Sequence, residues 1–142
     1  MKSHFKVTFL GTGTSQGIPV IGSKHPVCLS DDFKDKRLRV SVLLEIGDKV
    51  YVIDCGPDFR QQMLRANVDQ LEAVIFTHEH KDHIGGNYIF GKEPVIIGHR
   101  NLKSRMEGDD YIFEEYPKNM LPDITFIDSL SLFFNDEEIR II

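Results

Sequence analysis

The apolar run Leu71–Thr77 (LEAVIFT) ends directly in HEHKDHIGG, which places His78, His80, Asp82 and His83 just past it. A continuous apolar run of this length reads as a buried strand, so the polar cluster occupies the loop at its end. In an extended segment, residues two apart point to the same side. His78 and His80 can therefore present their imidazoles together to one ion. Asp82 and His83 come at the turn into the next helix and would face a second ion. Imidazole and carboxylate suit zinc, manganese or iron. A catalytic ion takes about three protein ligands and keeps a position open for water. Gly85 and Gly86 allow backbone to pass close behind the ligands. The competing reading is a solvated polar loop rich in histidine; the spacing, directly after a core strand, favours metal.

Around that loop the pattern alternates between strands and helices. Strands are expected at His4–Leu10, Leu38–Ile46, Lys49–Asp54, Leu71–Thr77, Pro94–Gly98 and Asp123–Ile127. Gly47–Asp48 makes a hairpin turn, and a second hairpin is expected within Ser131–Ile142 around Asn135–Asp136. Helices are expected at Pro57–Asn67 and Asn101–Glu107. The segment Met106–Pro122 carries no clear pattern. Strands dominate the start and then alternate with helices, which is an α/β (α+β) arrangement.

The 142 residues fit one domain with a real core. The net charge of −5 argues against nucleic acid as a general partner, because broad binding needs many cations to displace counterions. No apolar run approaches the ~20 residues of a membrane helix. The N-terminus shows no cleavable signal pattern, and two cysteines make no disulfide framework. These absences imply a cytoplasmic protein without a membrane partner.

The stretch THEHKDHIGG resembles the signature loop of the metallo-β-lactamase (MBL) fold superfamily of metal-dependent hydrolases. YVIDCGPDFR resembles the strand of that superfamily that ends in Asp-x-Gly. VTFLGTGTSQGIPV, followed by CLSDDFKDKRLRVSVLLE, is more specifically similar to the PhnP-type phosphodiesterases, with a weaker likeness to their RNase Z relatives. The resemblance runs from about residue 6 to about residue 98. It implies the N-terminal half of an αββα sandwich, with a mixed sheet and flanking helices. It implies His78 and His80 on one metal and Asp82 and His83 on the other, with Asp82 also a candidate proton acceptor in catalysis. Asp54 would accept hydrogen bonds from the metal loop and hold the ligands in place; DCGP alone would also justify a turn former there, and both roles can coexist.

The resemblance further implies a third histidine, a bridging aspartate and a last histidine. The one histidine after His83 is His99, which reads as a loop residue, so the site is expected to be incomplete within this chain. PhnP-type members carry a cysteine cluster for structural zinc where this sequence has Ser23, His25 and Cys28. His25 and Cys28 are the two remaining candidate ligands, and an unmetallated loop is the alternative. The Gly11–Gly17 loop (GTGTSQG) could cradle phosphate with its N–H groups or simply make a tight turn. Lys34, Lys36, Arg37 and Arg39 could attract a phosphate-bearing substrate or form a solvated basic face.

Two functions follow. One is metal-dependent hydrolysis of a small or cyclic phosphodiester by a di-metal-activated hydroxide, with zinc the first choice of metal. The other is a catalytically incomplete half-domain that binds metal weakly. It would cover its apolar sheet face with a second copy or another chain.

Overall fold

The computed structural model describes residues 4–89, 94–108, 118–134 and 137–142. Six strands form one sheet whose spatial order is the order of the chain: β1 (Phe5–Gly11), β2 (Ser41–Ile46), β3 (Lys49–Ile53), β4 (Ala73–Phe76), β5 (Val95–His99) and β6 (Ile124–Phe126). β1 to β3 are antiparallel: the two-residue turn Gly47–Asp48 returns β2 to β3, whereas a long connection through the helical turn Pro26–Leu29 brings β1 to β2; Leu44 faces Val7 on one side and Tyr51 on the other. From β3 onward the pairing is parallel, and Ile53, Ile75, Ile97 and Ile124 form a row across four strands. Parallel strands are covered on both faces, which is why they read as unbroken apolar runs. All four residues of β4 are buried.

The helices are α1 (Pro26–Leu29), α2 (Phe59–Ala66), α3 (Lys81–Ile84) and α4 (Arg100–Met106). α2 buries Phe59, Gln62 and Met63, the spacing of one helix face. α4 buries Leu102 and Met106. These side chains and Ile84 of α3 meet Leu43, Val52, Val74, Phe76 and Ile96 on one face of the sheet. Burying a side chain such as Phe59 stabilises the fold by roughly 1.5–3 kcal/mol.

A separate hairpin, β7 (Leu130–Phe134) with β8 (Glu137–Ile141), lies on the opposite face. Leu130, Leu132, Ile139 and Ile141 cover Tyr51, Ala73, Ile75 and Ile97 there. The cover does not extend over β1, where Phe5, Val7 and Phe9 remain exposed. The result is a helix layer, a mixed six-stranded sheet and a partial second β layer, as the resemblance implies. Among the described residues no helix is long and apolar enough to cross a membrane.

Three local expectations need correction. β2 starts at Ser41, not Leu38, because Arg37 and Arg39 bridge instead to Ile18 and Gly13. α1 is unforeseen; it is a single turn with the His25 side chain accepting the Val27 N–H at its start. His99 is not a loop residue. It closes β5 and caps α4 by accepting the Asn101 N–H at 3.1 Å. The turn Asn135–Asp136 lies outside the described residues, as do residues 109–117 of the segment without a pattern.

Candidate metal centre

The site lies beyond the carboxyl ends of β3, β4 and β5, where open parallel sheets place their ligands. Asp54 is the first residue past β3. Its φ of +60° is the left-handed conformation that non-glycine residues rarely adopt. Such a residue costs on the order of 1 kcal/mol and persists where its surroundings over-determine it. Here they do. The Asp54 N–H donates to the Ile75 carbonyl at 3.0 Å, and its own carbonyl accepts the Ser41 hydroxyl at 2.8 Å. The Cys55 N–H then donates to the His83 carbonyl at 2.6 Å, and the Cys55 carbonyl accepts the Gly86 N–H at 2.7 Å.

That pairing needs two backbones in near contact. A Cβ on Gly56 would lie 2.0 Å from the Asp82 carbonyl oxygen, and one on Gly86 would lie 2.4 Å from the Gly56 carbonyl oxygen. The two glycines therefore fix the distance between the turn after β3 and the metal loop.

The turn aims the buried Asp54 carboxylate at the loop. It accepts the Thr77 N–H at 2.9 Å, the Thr77 hydroxyl at 2.7 Å and His83 Nδ1 at 2.7 Å. His78 Nδ1 lies 3.1 Å from the same Thr77 hydroxyl. With its hydrogen given to Asp54, that hydroxyl accepts from His78. Both imidazoles thus direct Nδ1 to one Asp54–Thr77 unit, which fixes the orientation of both rings. Their ring centroids are 3.8 Å apart, and His80 lies 4.7 Å from His78. Burial, then the imidazoles of His83 and His80, hold His78 below its ordinary pKa, which favours the neutral ring that can donate to a metal. The Asp82 carboxylate is 3.3 Å from His83 Nε2.

The structure therefore brings together His78, His80, Asp82, His83 and Asp54. The donor chemistry, imidazole with carboxylate, fits a divalent ion such as zinc. Among the described residues no three His, Cys, Asp or Glu groups are gathered closely enough to hold an ion by themselves.

His25 and Cys28 sit on the single turn of α1. His25 Nδ1 takes the Val27 N–H, and Cys28 Sγ takes the Val20 N–H at 3.5 Å. The Ser23 hydroxyl, then the Val20 N–H, draw the Cys28 thiol below its ordinary pKa. No third His, Cys, Asp or Glu joins them among the described residues.

The glycine-rich loop is tied to the chain before β2. The Gly13 N–H donates to Leu38 and the Gly17 N–H to Thr14, so neither faces a phosphate. Arg39 is engaged with the Ser15 carbonyl and with Asp58 at 2.8 Å, Arg37 reaches the Thr12 carbonyl, and Lys36 reaches the Ser30 carbonyl. Arg37 and Arg39 thus brace the loop, while Lys36 ties down the segment from Ser30.

Sequence reading does not find Thr77, Ser41, or the ion pair between Glu79 and Arg105. Thr77 stands beside the motif, yet nothing in one dimension shows that its hydroxyl meets Asp54.

A mixed sheet with a histidine-rich loop beyond its parallel strands defines an α/β metal-site fold. The metallo-β-lactamase superfamily model matches residues 35–139, and the chain belongs to that superfamily. It is 42% identical over 116 residues to an octanoyltransferase of Porphyromonas gingivalis, covering 76% of this chain and 23% of that protein. It is 33% identical over 84 residues to ribonuclease Z of Bradyrhizobium diazoefficiens, covering 58% of this chain and 23% of that protein. Among solved structures, a diphosphatase of the PhnP family is 37% identical, with TM-score 0.62 over 72% of this chain and 44% of that one. Zinc-bound PqqB from Methylobacterium extorquens shares the fold at 17% identity, with TM-score 0.72 over 91% of this chain and 48% of that one. The chain thus spans about a quarter of these two curated relatives and just under half of these two solved ones.

Proposed function

We propose that this chain carries the first half of the metal centre of a phosphodiester hydrolase acting on a small or cyclic substrate. The observation that carries the reading is the shared Asp54–Thr77 anchor, which takes Nδ1 of both His78 and His83 and so fixes the orientation of the two rings beside Asp82. Two relatives, a ribonuclease and a diphosphatase, are named for cleavage at phosphorus, which supports this substrate class. The octanoyltransferase is named for acyl transfer, but the match covers 23% of that protein, so its name is not carried over.

When bound, a divalent ion, zinc before manganese or iron, supplies a Lewis acid and an ionised water. His78 and His80 would hold one ion; Asp82 and His83 would hold the second. Asp54 orients the His83 ring through Nδ1, and Asp82, beside it, would be a ligand and the candidate proton acceptor. A cytoplasmic setting belongs to this reading, supported by two free thiols.

The second reading is a catalytically incomplete module that binds metal weakly and covers its apolar face with a second copy or another chain. It is favoured by the lack of a three-donor group among the described residues. Metal analysis after equilibration with zinc, together with hydrolysis of bis(p-nitrophenyl) phosphate, separates the two. Bound zinc and turnover, both lowered ~100-fold or more in His78→Ala and Asp82→Ala, support the hydrolase. Weak zinc binding without turnover supports the module. Unchanged zinc content in His78→Ala would mean the ligands are misassigned.

A further inference from the structure

Glu79 is the residue between the first two histidines of the loop. Alternation along the extended segment turns it away from the side that His78 and His80 share. Its side chain is only 9% exposed and reaches the helix layer, where a carboxylate oxygen accepts Arg105 Nη1 at 3.0 Å. Arg105 lies in the last turn of α4. That helix is a fixed post: Leu102 and Met106 are in the core, and Lys103 Nζ donates to the Pro122 carbonyl at 2.9 Å.

We propose that Arg105, acting through Glu79, is a positioning residue for the metal loop. Asp54 and Thr77 hold the two ends of the loop, at His78 and His83, from the strand side. His80, just before α3, makes no side-chain capping hydrogen bond to that helix. The Glu79–Arg105 pair is the anchor next to it in the chain, and it sets where the backbone of His80 stands. A loop tethered at both ends and at its centre keeps three imidazoles within reach of one another. This inference rests on the metal reading for its purpose but not for its geometry.

The test uses the 142-residue chain, with Arg105→Ala, Arg105→Lys and the charge-exchanged pair Glu79→Arg/Arg105→Glu. Amide hydrogen exchange on the metal-free protein reads the tether; zinc affinity by chelator competition reads its service to the site. Arg105→Ala is expected to lose protection at residues 78–83 while the protection of β3 and β4 stays as it was. Its zinc affinity should fall by up to about tenfold, toward the lower end of what supporting groups around metal ligands give. Arg105→Lys and the exchanged pair should recover part of both. If Arg105→Ala leaves protection of 78–83 unchanged, the tether is refuted, whatever the zinc result. If zinc does not bind the unaltered chain, the metal reading fails, and exchange alone decides the tether. A uniform loss of protection across the sheet would reduce Arg105 to a general stabilising residue and overturn its assignment to the loop.

Discussion

Asp54 joins backbone strain to side-chain function in one residue. Its left-handed backbone turns the carboxylate into the loop, and three hydrogen bonds from Thr77 and His83 hold it there. Asparagine tolerates that conformation and keeps the shape, but it removes the charge and one acceptor. Asp54→Asn should therefore melt close to the parent, while zinc affinity measured by chelator competition falls ~10–100-fold. Asp54→Ala loses every side-chain hydrogen bond and keeps the strain, so it should melt lower as well. Equal zinc affinity in the parent and Asp54→Asn would remove Asp54 from the site. The sequence foreshadows this residue, because Asp-x-Gly after an apolar strand is a local pattern. It does not foreshadow Thr77 or Ser41. Their partners lie 23 and 13 positions away, and only the folded sheet brings them within hydrogen-bond distance.

The turn after β3 and the loop after β4 act as one element, because backbone bonds from Cys55 to His83 and from Gly86 to Cys55 join them. Gly56→Ala would set a methyl 2.0 Å from the Asp82 carbonyl oxygen, where backbone rather than a flexible side chain must yield. Overpacking of this kind costs about 1–3 kcal/mol. Urea denaturation should show that loss, and zinc affinity should fall with it, since Asp82 is displaced. A variant as stable as the parent would show that the two segments are less tightly joined than the structure has them. The strands and longer helices of this layer are legible from periodicity, and their ends hold to within a few residues. Two elements escape. α1 is too short to carry a period. The entry to β2 is decided by bridges from Arg37 and Arg39 to the glycine-rich loop, a contact with no local signature.

The two faces of the sheet are unequally covered, and the inequality predicts association. Helices cover one face, whereas the β7–β8 hairpin packs over the other from β2 to β6 and leaves β1 out. On β1, Phe5, Val7 and Phe9 point to this second face and continue the apolar row of Leu44 and Ile46 into solvent, at 54%, 46% and 69% exposure. β1 also ends the sheet, and among the described residues no strand pairs with its outer edge. Apolar side chains in a row beside an open edge are what a second β-rich surface covers. The chain is therefore expected to self-associate in a concentration-dependent way in sedimentation velocity. Val7→Lys and Phe9→Lys each remove an apolar contact and place a charge at the contact. Each should raise the dimer dissociation constant about tenfold or more, because burying one such side chain is worth roughly 1.5–3 kcal/mol and 1.4 kcal/mol is a factor of ten. The core residues behind β1, Leu10 and Leu43, are untouched by either change, so the thermal midpoint of the dilute protein should stay near that of the parent. A chain that sediments as a monomer at every concentration, with or without the lysines, would leave this face without a second copy as its partner.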